Sequence, residues 1–293
     1  MITRIEDLSP LFEDRCWMFV LLARQANVAV ILRRGPIRWW HVTLWDTRHD
    51  IFEGGQWFRG RMYPERCDLS PDGKLFIYFA GKYRLGDVAR GYDFTWIAVS
   101  RPPYLTALAL WPVGDAWGGQ SVFIDDRTVL VAKISKHHPD HPPGPLRVFE
   151  YGSLKKEDPL RNAVPCWQRR WVGIPASVQP SRRYVLYTAW RKSSDGMTMQ
   201  RNATAKTVQG IAYDPYPSRH RSLYTLYRPD GKPVAQFQAH WADWDQRGRL
   251  VATVGGRMLE GKLKGGKLLW RQIAAMHDEK PAPMVAPDWA QHW

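Results

Sequence analysis

A chain of 293 residues with 44% hydrophobic and 24% charged residues has the composition of a folded globular protein, which excludes wholesale disorder and allows a large core. The formal net charge is +14, with 29 Arg against 13 Lys, so planar bidentate donors dominate a basic surface that suits carboxylate, phosphate or aromatic partners. Sixteen Trp, 22 Pro and 23 Gly favour short strands and tight connections over a helical bundle.

In chain order, Glu6, Asp7, Glu13 and Asp14 precede an apolar run at 17–23. That run is too short to span a bilayer and wrongly flanked for a signal peptide, so the reading is a soluble, cytoplasmic, non-exported protein. Cys16, Cys67 and Cys166 are odd in number, far apart and without metal-ligand spacing, as buried thiols in a reducing compartment would be. Leu8, Leu11 and Phe12 stand at helical spacing and predict a short N-terminal helix over 7–15. Residues 28–32 read as a buried strand ended by Arg33-Arg34-Gly35-Pro36. The alternation at 39–45 predicts a second strand that returns through a hairpin at 46–55.

The stretch Ser70-Pro71-Asp72-Gly73-Lys74-Leu75-Phe76 is a polar turn between two apolar runs. Pro presets the first turn position and Gly accepts a positive φ, so the flanking strands fold back antiparallel. Its plan recurs at 124–130, 179–185 and 245–251, with turn positions Gly73, Arg127, Arg182 and Gly248 separated by 54, 55 and 66 residues. A weaker copy centres on Ala26. Further strand pairs are predicted at 95–99 with 105–111, at 146–151, at 222–227 with 233–240 and at 258–263 with 267–273. Units of about four strands recurring every 40 to 60 residues are the pattern of propeller blades.

The Ser-Pro-Asp-Gly-Lys-Leu stretch and the Trp45-Asp46 pair resemble WD40-like and TolB-like β-propellers. The resemblance implies an all-β propeller fold; the five recurring units fit a single propeller of about five to six blades over 1–276, and the two tryptophans of the Pro-rich tail 277–293 predict that it docks on the propeller or on a partner. The chain lacks a Gly-His and Trp-Asp pair in every blade. Stretches 55–61 and 100–104 are similar to a bacterial family, a likeness that implies no activity.

Three stretches break the repeat: polar insertions at 83–94 and 191–209, expected as loops, and the tail with Trp289 and Trp293. After the strand at 129–134, His137, His138, Asp140 and His141 come within one residue of a His-x-His-x-Asp-His metal pattern, with Lys136 at its first position. Imidazoles and a carboxylate there are candidate metal ligands, and a solvated loop stiffened by Pro142, Pro143 and Pro145 is the alternative.

Aromatics interleaved with arginines occur at Arg38-Trp39-Trp40, at Trp57-Phe58-Arg59-Gly60-Arg61 and at Trp167-Gln168-Arg169-Arg170-Trp171. Stacking faces beside guanidinium groups suit acidic peptides, protein hot spots or single-stranded nucleic acid. The candidate partner-binding residues are Trp57, Arg59, Arg61, Arg101, Trp117, Trp167, Arg169, Arg170, Trp171, Trp289 and Trp293. The glycines around Trp117 at 111–119 read as a tight loop. No Gly-x-Ser-x-Gly elbow, phosphate loop or dinucleotide fingerprint is present, and no cofactor is implied. The sequence therefore points to a non-catalytic scaffold that engages a protein partner, acidic or aromatic-anchored. A metal-dependent hydrolase at the His137–His141 loop and a nucleic-acid-binding module are the alternatives.

Overall fold

The computed structural model describes residues 4–5, 8, 10–11, 16–116, 118–131, 136–163, 172–174, 184–208, 211–213 and 222–293. Among these residues the chain is all-β, with five sheets. It divides into two compact units, one of residues 1–19 with 169–279 and one of 20–168 with 280–293. No helix among the described residues is long and apolar enough to cross a membrane.

Arg4–Ile5 is β1. The first sheet is a meander of Trp17–Leu22 (β2), Val28–Arg34 (β3), Trp39–Asp46 (β4) and Ile51–Arg59 (β5). Arg61–Met62 (β6) and Asp68–Leu69 (β7) both pair with Phe76–Gly81 (β8), which continues to Thr95–Ser100 (β9) and Ala109–Pro112 (β10). Ser121–Phe123 (β11), Thr128–Val131 (β12) and Arg147–Glu150 (β13) form the third sheet, in which β13 runs parallel to β12.

The fourth sheet holds Val172–Ile174 (β14), Tyr184–Lys192 (β15), Thr198–Val208 (β16), Ile211–Tyr213 (β17), Ser222–Tyr227 (β18) and Pro233–Ala239 (β19). The fifth is Trp241–Trp244 (β20), Leu250–Val254 (β21), Arg257–Lys264 (β22) and Lys267–Ala275 (β23). Its free side takes β1, with Arg4 opposite Arg271 and Ile5 opposite Trp270.

The recurring turns share one device. The Asp72, Asp125 and Asp245 carboxylates each accept the backbone N–H two residues on, at 3.0, 2.8 and 2.9 Å. This Asx arrangement closes the turn locally, and Gly73 and Gly248 supply the positive φ of 76° and 75° that follows. Asp46 and Asp230 do the same to Arg48 and Lys232. The turn at 181–183 lies outside the described residues.

Each unit has its own core. In the unit of 20–168 with 280–293, Ile77, Phe79, Ile97 and Val99 pack with Trp111, Phe123 and Val129; in the other, Tyr224, Phe237, Leu259 and Trp270 pack with Leu8. The helix expected over 7–15 is not seen among the described residues. Of that stretch Leu8, Pro10 and Leu11 are described, and they form one turn closed by the Leu11 N–H on the Leu8 carbonyl at 3.1 Å, with Leu8 buried.

Within the insertion expected at 191–209, residues 191–192 and 198–208 are instead strand, and 209 lies outside the described residues. β15 runs on to Lys192, and β16 pairs with it and with β18, leaving a short turn at 193–197. Alternating Thr, Gln and Asn with buried Met199 satisfy a two-sided ladder despite the polar composition. The insertion at 83–94 contains one short helix, Leu85–Ala89 (α1).

Candidate interaction surface

Strands β3, β4 and β5 meet in register so that Arg33 stands opposite His41 and His41 opposite Trp57, on one face of the sheet. The His41 and Trp57 rings stack with centroids 4.3 Å apart and planes 6° from parallel, and the Arg33 guanidinium carbon lies 5.2 Å from the Trp57 ring centre. Arg33 and His41 are buried. Arg33 donates to the Gly35 carbonyl at 2.5 Å and His41 Nε2 to that of Gly55 at 3.1 Å, which fixes both as supports for the indole.

Two residues along the same face, Trp39 stands opposite Arg59, whose guanidinium carbon is 6.0 Å from the Trp39 ring; Trp39 meets Trp57 edge-on at 6.4 Å. Both indoles are half-buried and Arg59 is exposed. The Gly60 N–H donates to the Arg38 carbonyl at 3.0 Å, which brings the hairpin tip, Ile37 and Arg38, alongside Arg59 and Arg61. Ile37 is 83% exposed. Arg61 lies over the exposed Tyr83 ring at 5.9 Å, and hydrogen bonds with Tyr63 and then Tyr83 favour its charged form. The result is a patch of exposed arginines, a bare isoleucine and aromatic faces. Among the described residues no carboxylate is paired with Arg59.

Trp57 and Arg59 are thus brought together with Trp39, the hairpin tip Ile37 and Arg38 lies alongside, and Arg61, two residues on from Arg59, meets Tyr83. Arg38 and Trp39 carried the Arg/Trp signal in the sequence. Ile37 and Tyr83 did not, although an apolar residue directly after Gly35-Pro36 in a hairpin tip is a usable signal. Trp117, Trp167, Arg169, Arg170 and Trp171 lie outside the described residues.

Arg101, Trp289 and Trp293 gather elsewhere in the same unit, where residues 280–293 run over its surface. Gln56 Nε2 donates to the Met284 carbonyl at 3.0 Å, Arg101 Nε and Nη2 donate to that of His292 at 3.4 Å, and Trp293 Nε1 donates to that of Pro142 at 3.3 Å. Trp289 packs edge-on against Tyr104 at 5.6 Å, while Ala286 and Ala290 bury against Tyr104. Arg101 is therefore committed to holding the tail.

In the histidine loop, His138 is buried, accepts the Asp140 N–H at Nδ1 (3.3 Å) and donates from Nε2 to the Arg90 carbonyl (3.0 Å), while its ring stacks on Tyr92 at 4.4 Å. Both nitrogens have structural work, anchoring the 83–94 loop. His137 Nδ1 donates to the His138 carbonyl at 3.1 Å. His137, His138, Asp140 and His141 are not arranged as a ligand set, and no group of three or more His, Cys, Asp or Glu among the described residues could hold a metal ion.

The loop at 111–119 is closed on itself: Asp115 accepts the Gly118 N–H at 2.7 Å, and Arg66 donates to the Ala116 and Gly118 carbonyls at 2.6 and 2.8 Å. Cys67 is buried, its thiol pushed up by burial and donating to the Tyr63 carbonyl at 3.2 Å, so it is not an activated nucleophile. Cys16 is buried as well, and Cys166 lies outside the described residues.

No family model matches the chain, and no curated protein matches it. Solved structures resemble it weakly, two of them as follows. A protein assigned as a 6-phosphogluconolactonase from Bacteroides fragilis shares 9% identity at a TM-score of 0.32, over 88% of this chain and 94% of its own. The WD40 domain of SCAP from fission yeast shares 8% identity at a TM-score of 0.19, over 92% of this chain and 47% of its own. At these levels neither likeness extends to an activity or a partner.

Proposed function

We propose that the protein is a non-catalytic binding module whose five sheets are the blades of a β-propeller, and that it engages an acidic, aromatic-bearing segment of a protein partner through the patch formed by Ile37, Arg38, Trp39, Trp57, Arg59 and Arg61. The propeller reading rests on the succession of small, mainly antiparallel sheets, three of which carry the recurrent Asp turn between two of their own strands, and on β1 adding to β23, the first described strand to the last. The binding reading rests on one observation: half-buried indoles of Trp39 and Trp57, held in place by cross-strand stacking, lie next to exposed guanidinium groups and a bare Ile37.

Such a surface offers rigid aromatic anchors at low entropic cost together with bidentate donors for carboxylates. The buried supports, Arg33 and His41, keep the indoles in place before any partner arrives, so little ordering is left to bind against. Single-stranded nucleic acid uses the same elements, stacking platforms beside cations, and is the second reading.

Fluorescence anisotropy separates the two. Labelled acidic peptides carrying Trp or Phe, their charge-reversed counterparts and oligo(dT) are titrated with the protein at about 50 mM salt. Saturable binding of the acidic aromatic peptides alone is the expected result. Preference for oligo(dT) moves the function to nucleic acid, and binding of neither removes the patch as a docking surface.

A further inference from the structure

A cleft of about 340 Å³ opens in the unit of 20–168 with 280–293, on the side of β5 away from the indole stack. Its walls are Phe58 and Trp96, which meet edge-on at 6.1 Å, and Tyr92, held by its stack on His138; its cations are Lys82 and Arg90, and His141 completes the rim. No Asp or Glu lines it among the described residues. The volume falls in the range of small-ligand sites, and the apolar lining combines the aromatic faces with Leu105, Ala107 and Leu110.

The Trp96 and Tyr78 polar groups in the wall are already partnered. The Trp96 indole N–H is hydrogen-bonded to the Tyr78 hydroxyl, which itself donates to the Leu105 carbonyl at 2.6 Å. The cleft therefore asks two things of an occupant: a flat apolar body for the rings, and negative charge for the cations. Lys82 Nζ stands over the Phe58 ring, 5.3 Å from its centre, so the charge lies against the aromatic wall and within the same cleft as a ring-bound ligand's acidic group.

We infer that this cleft binds a small planar aromatic carboxylate, its ring between Phe58, Trp96 and Tyr92 and its carboxylate on Lys82 and Arg90. The site is separate from the patch proposed to dock a protein partner, and either can fail without the other.

The test is calorimetric titration of the full chain at low salt with three probes: 2-naphthoate, its neutral analogue 2-naphthalenemethanol, and inorganic phosphate. Naphthoate is expected to bind about tenfold more tightly than either of the others, because only it meets both demands. Lys82→Met keeps the alkyl stem, so it leaves the thermal midpoint in place while weakening naphthoate about five- to tenfold. Trp96→Leu, checked for folding by its thermal midpoint, weakens naphthoate and leaves phosphate unchanged. No heat with millimolar naphthoate overturns the inference. Equal affinity for the alcohol removes the role of the cations, equal affinity for phosphate removes the role of the rings, and a Lys82→Met variant that binds as the parent does removes the assigned contact; each of these outcomes overturns it too.

Discussion

The buried carboxylate of Asp68 accepts the backbone N–H of Phe123 at 2.7 Å, tying β7 of the second sheet to β11 of the third across a separation of 55 residues. A second tie of the same kind runs beside it, from the Asp72 N–H to the Asp126 carboxylate at 2.9 Å. Neighbouring sheets are thus stitched by Asp side chains from the segments that also form the turns. Asp68→Ala strands a buried amide and is expected to lower unfolding stability by about 2–4 kcal/mol in urea titrations. Asp126→Ala, on a partly buried bond, is expected to cost about 1 kcal/mol.

Glu260 on β22 stands opposite Arg271 on β23 and accepts hydrogen bonds from its guanidinium group, with Lys262 Nζ 3.1 Å away. Burial pushes this carboxyl up, but the bonds from Arg271 and Lys262 outweigh it and hold the group below the usual carboxylate range. A folded-state value below the unfolded one gives stability that is fully present above the ordinary Glu range and lost as pH falls through the depressed folded value. Glu260→Gln is therefore expected to be less stable than the parent at pH 7 by about 1–2 kcal/mol, with the gap narrowing in acid. A gap constant from pH 7 to about pH 3 contradicts this.

His141 lies at the rim of the aromatic cleft, and burial first, then neighbouring His138, holds its imidazole below the ordinary range, so it is neutral at pH 7. The charged and titratable groups facing it are Lys82, Arg90, Tyr78 and Tyr92 from the cleft and His138 and Asp140 from its own loop. Acidification adds a third cation beside Lys82 and Arg90. Naphthoate affinity is expected to rise about three- to tenfold between pH 7 and about pH 5, where the probe is still ionised, and His141→Gln is expected to flatten that profile. A parent profile already flat removes His141 from the site.

The tail ends on Trp293, whose indole N–H reaches Pro142 and whose ring lies against Gly144, a residue with φ of 55° and no room for a Cβ. Trp293→Ala is expected to cost about 1 kcal/mol and to make residues 280–293 a preferred site of limited proteolysis. Gly144→Ala is expected to do the same through strain and collision. Unchanged cleavage in both variants contradicts the tail's hold on this unit.

Much of the fold was legible because its signals are local. An Asp accepting the N–H two residues on closes a turn whatever surrounds it, with Gly73 and Gly248 adding the positive φ in two of the three, so the turns at 70–75, 124–127 and 245–249 could be placed from sequence. β16 was not legible: its Thr, Gln, Asn and Lys become a strand only because β15 and β18 flank it on both sides. Trp57, Arg59 and Arg61 were visible as a run. That Ile37 and Arg38 join them depends on the Gly60–Arg38 hydrogen bond, a tertiary contact with no trace in composition. The histidine loop read as a candidate ligand set from spacing alone, yet His138 turns inward to hold Arg90 and Tyr92, which spacing cannot reveal.

The central proposal, an acidic partner docked on the Trp39–Arg59 patch, is tested most directly by reversing its charge. Arg59 is exposed and its guanidinium group lies over the Trp39 ring, so Arg59→Glu is expected to leave the sheet intact while inverting the patch where a carboxylate would land. Anisotropy with a labelled acidic aromatic peptide at about 50 mM salt is expected to show at least about tenfold weaker binding for Arg59→Glu than for the parent, with an unchanged thermal midpoint. Equal affinity in the two proteins would contradict the proposal.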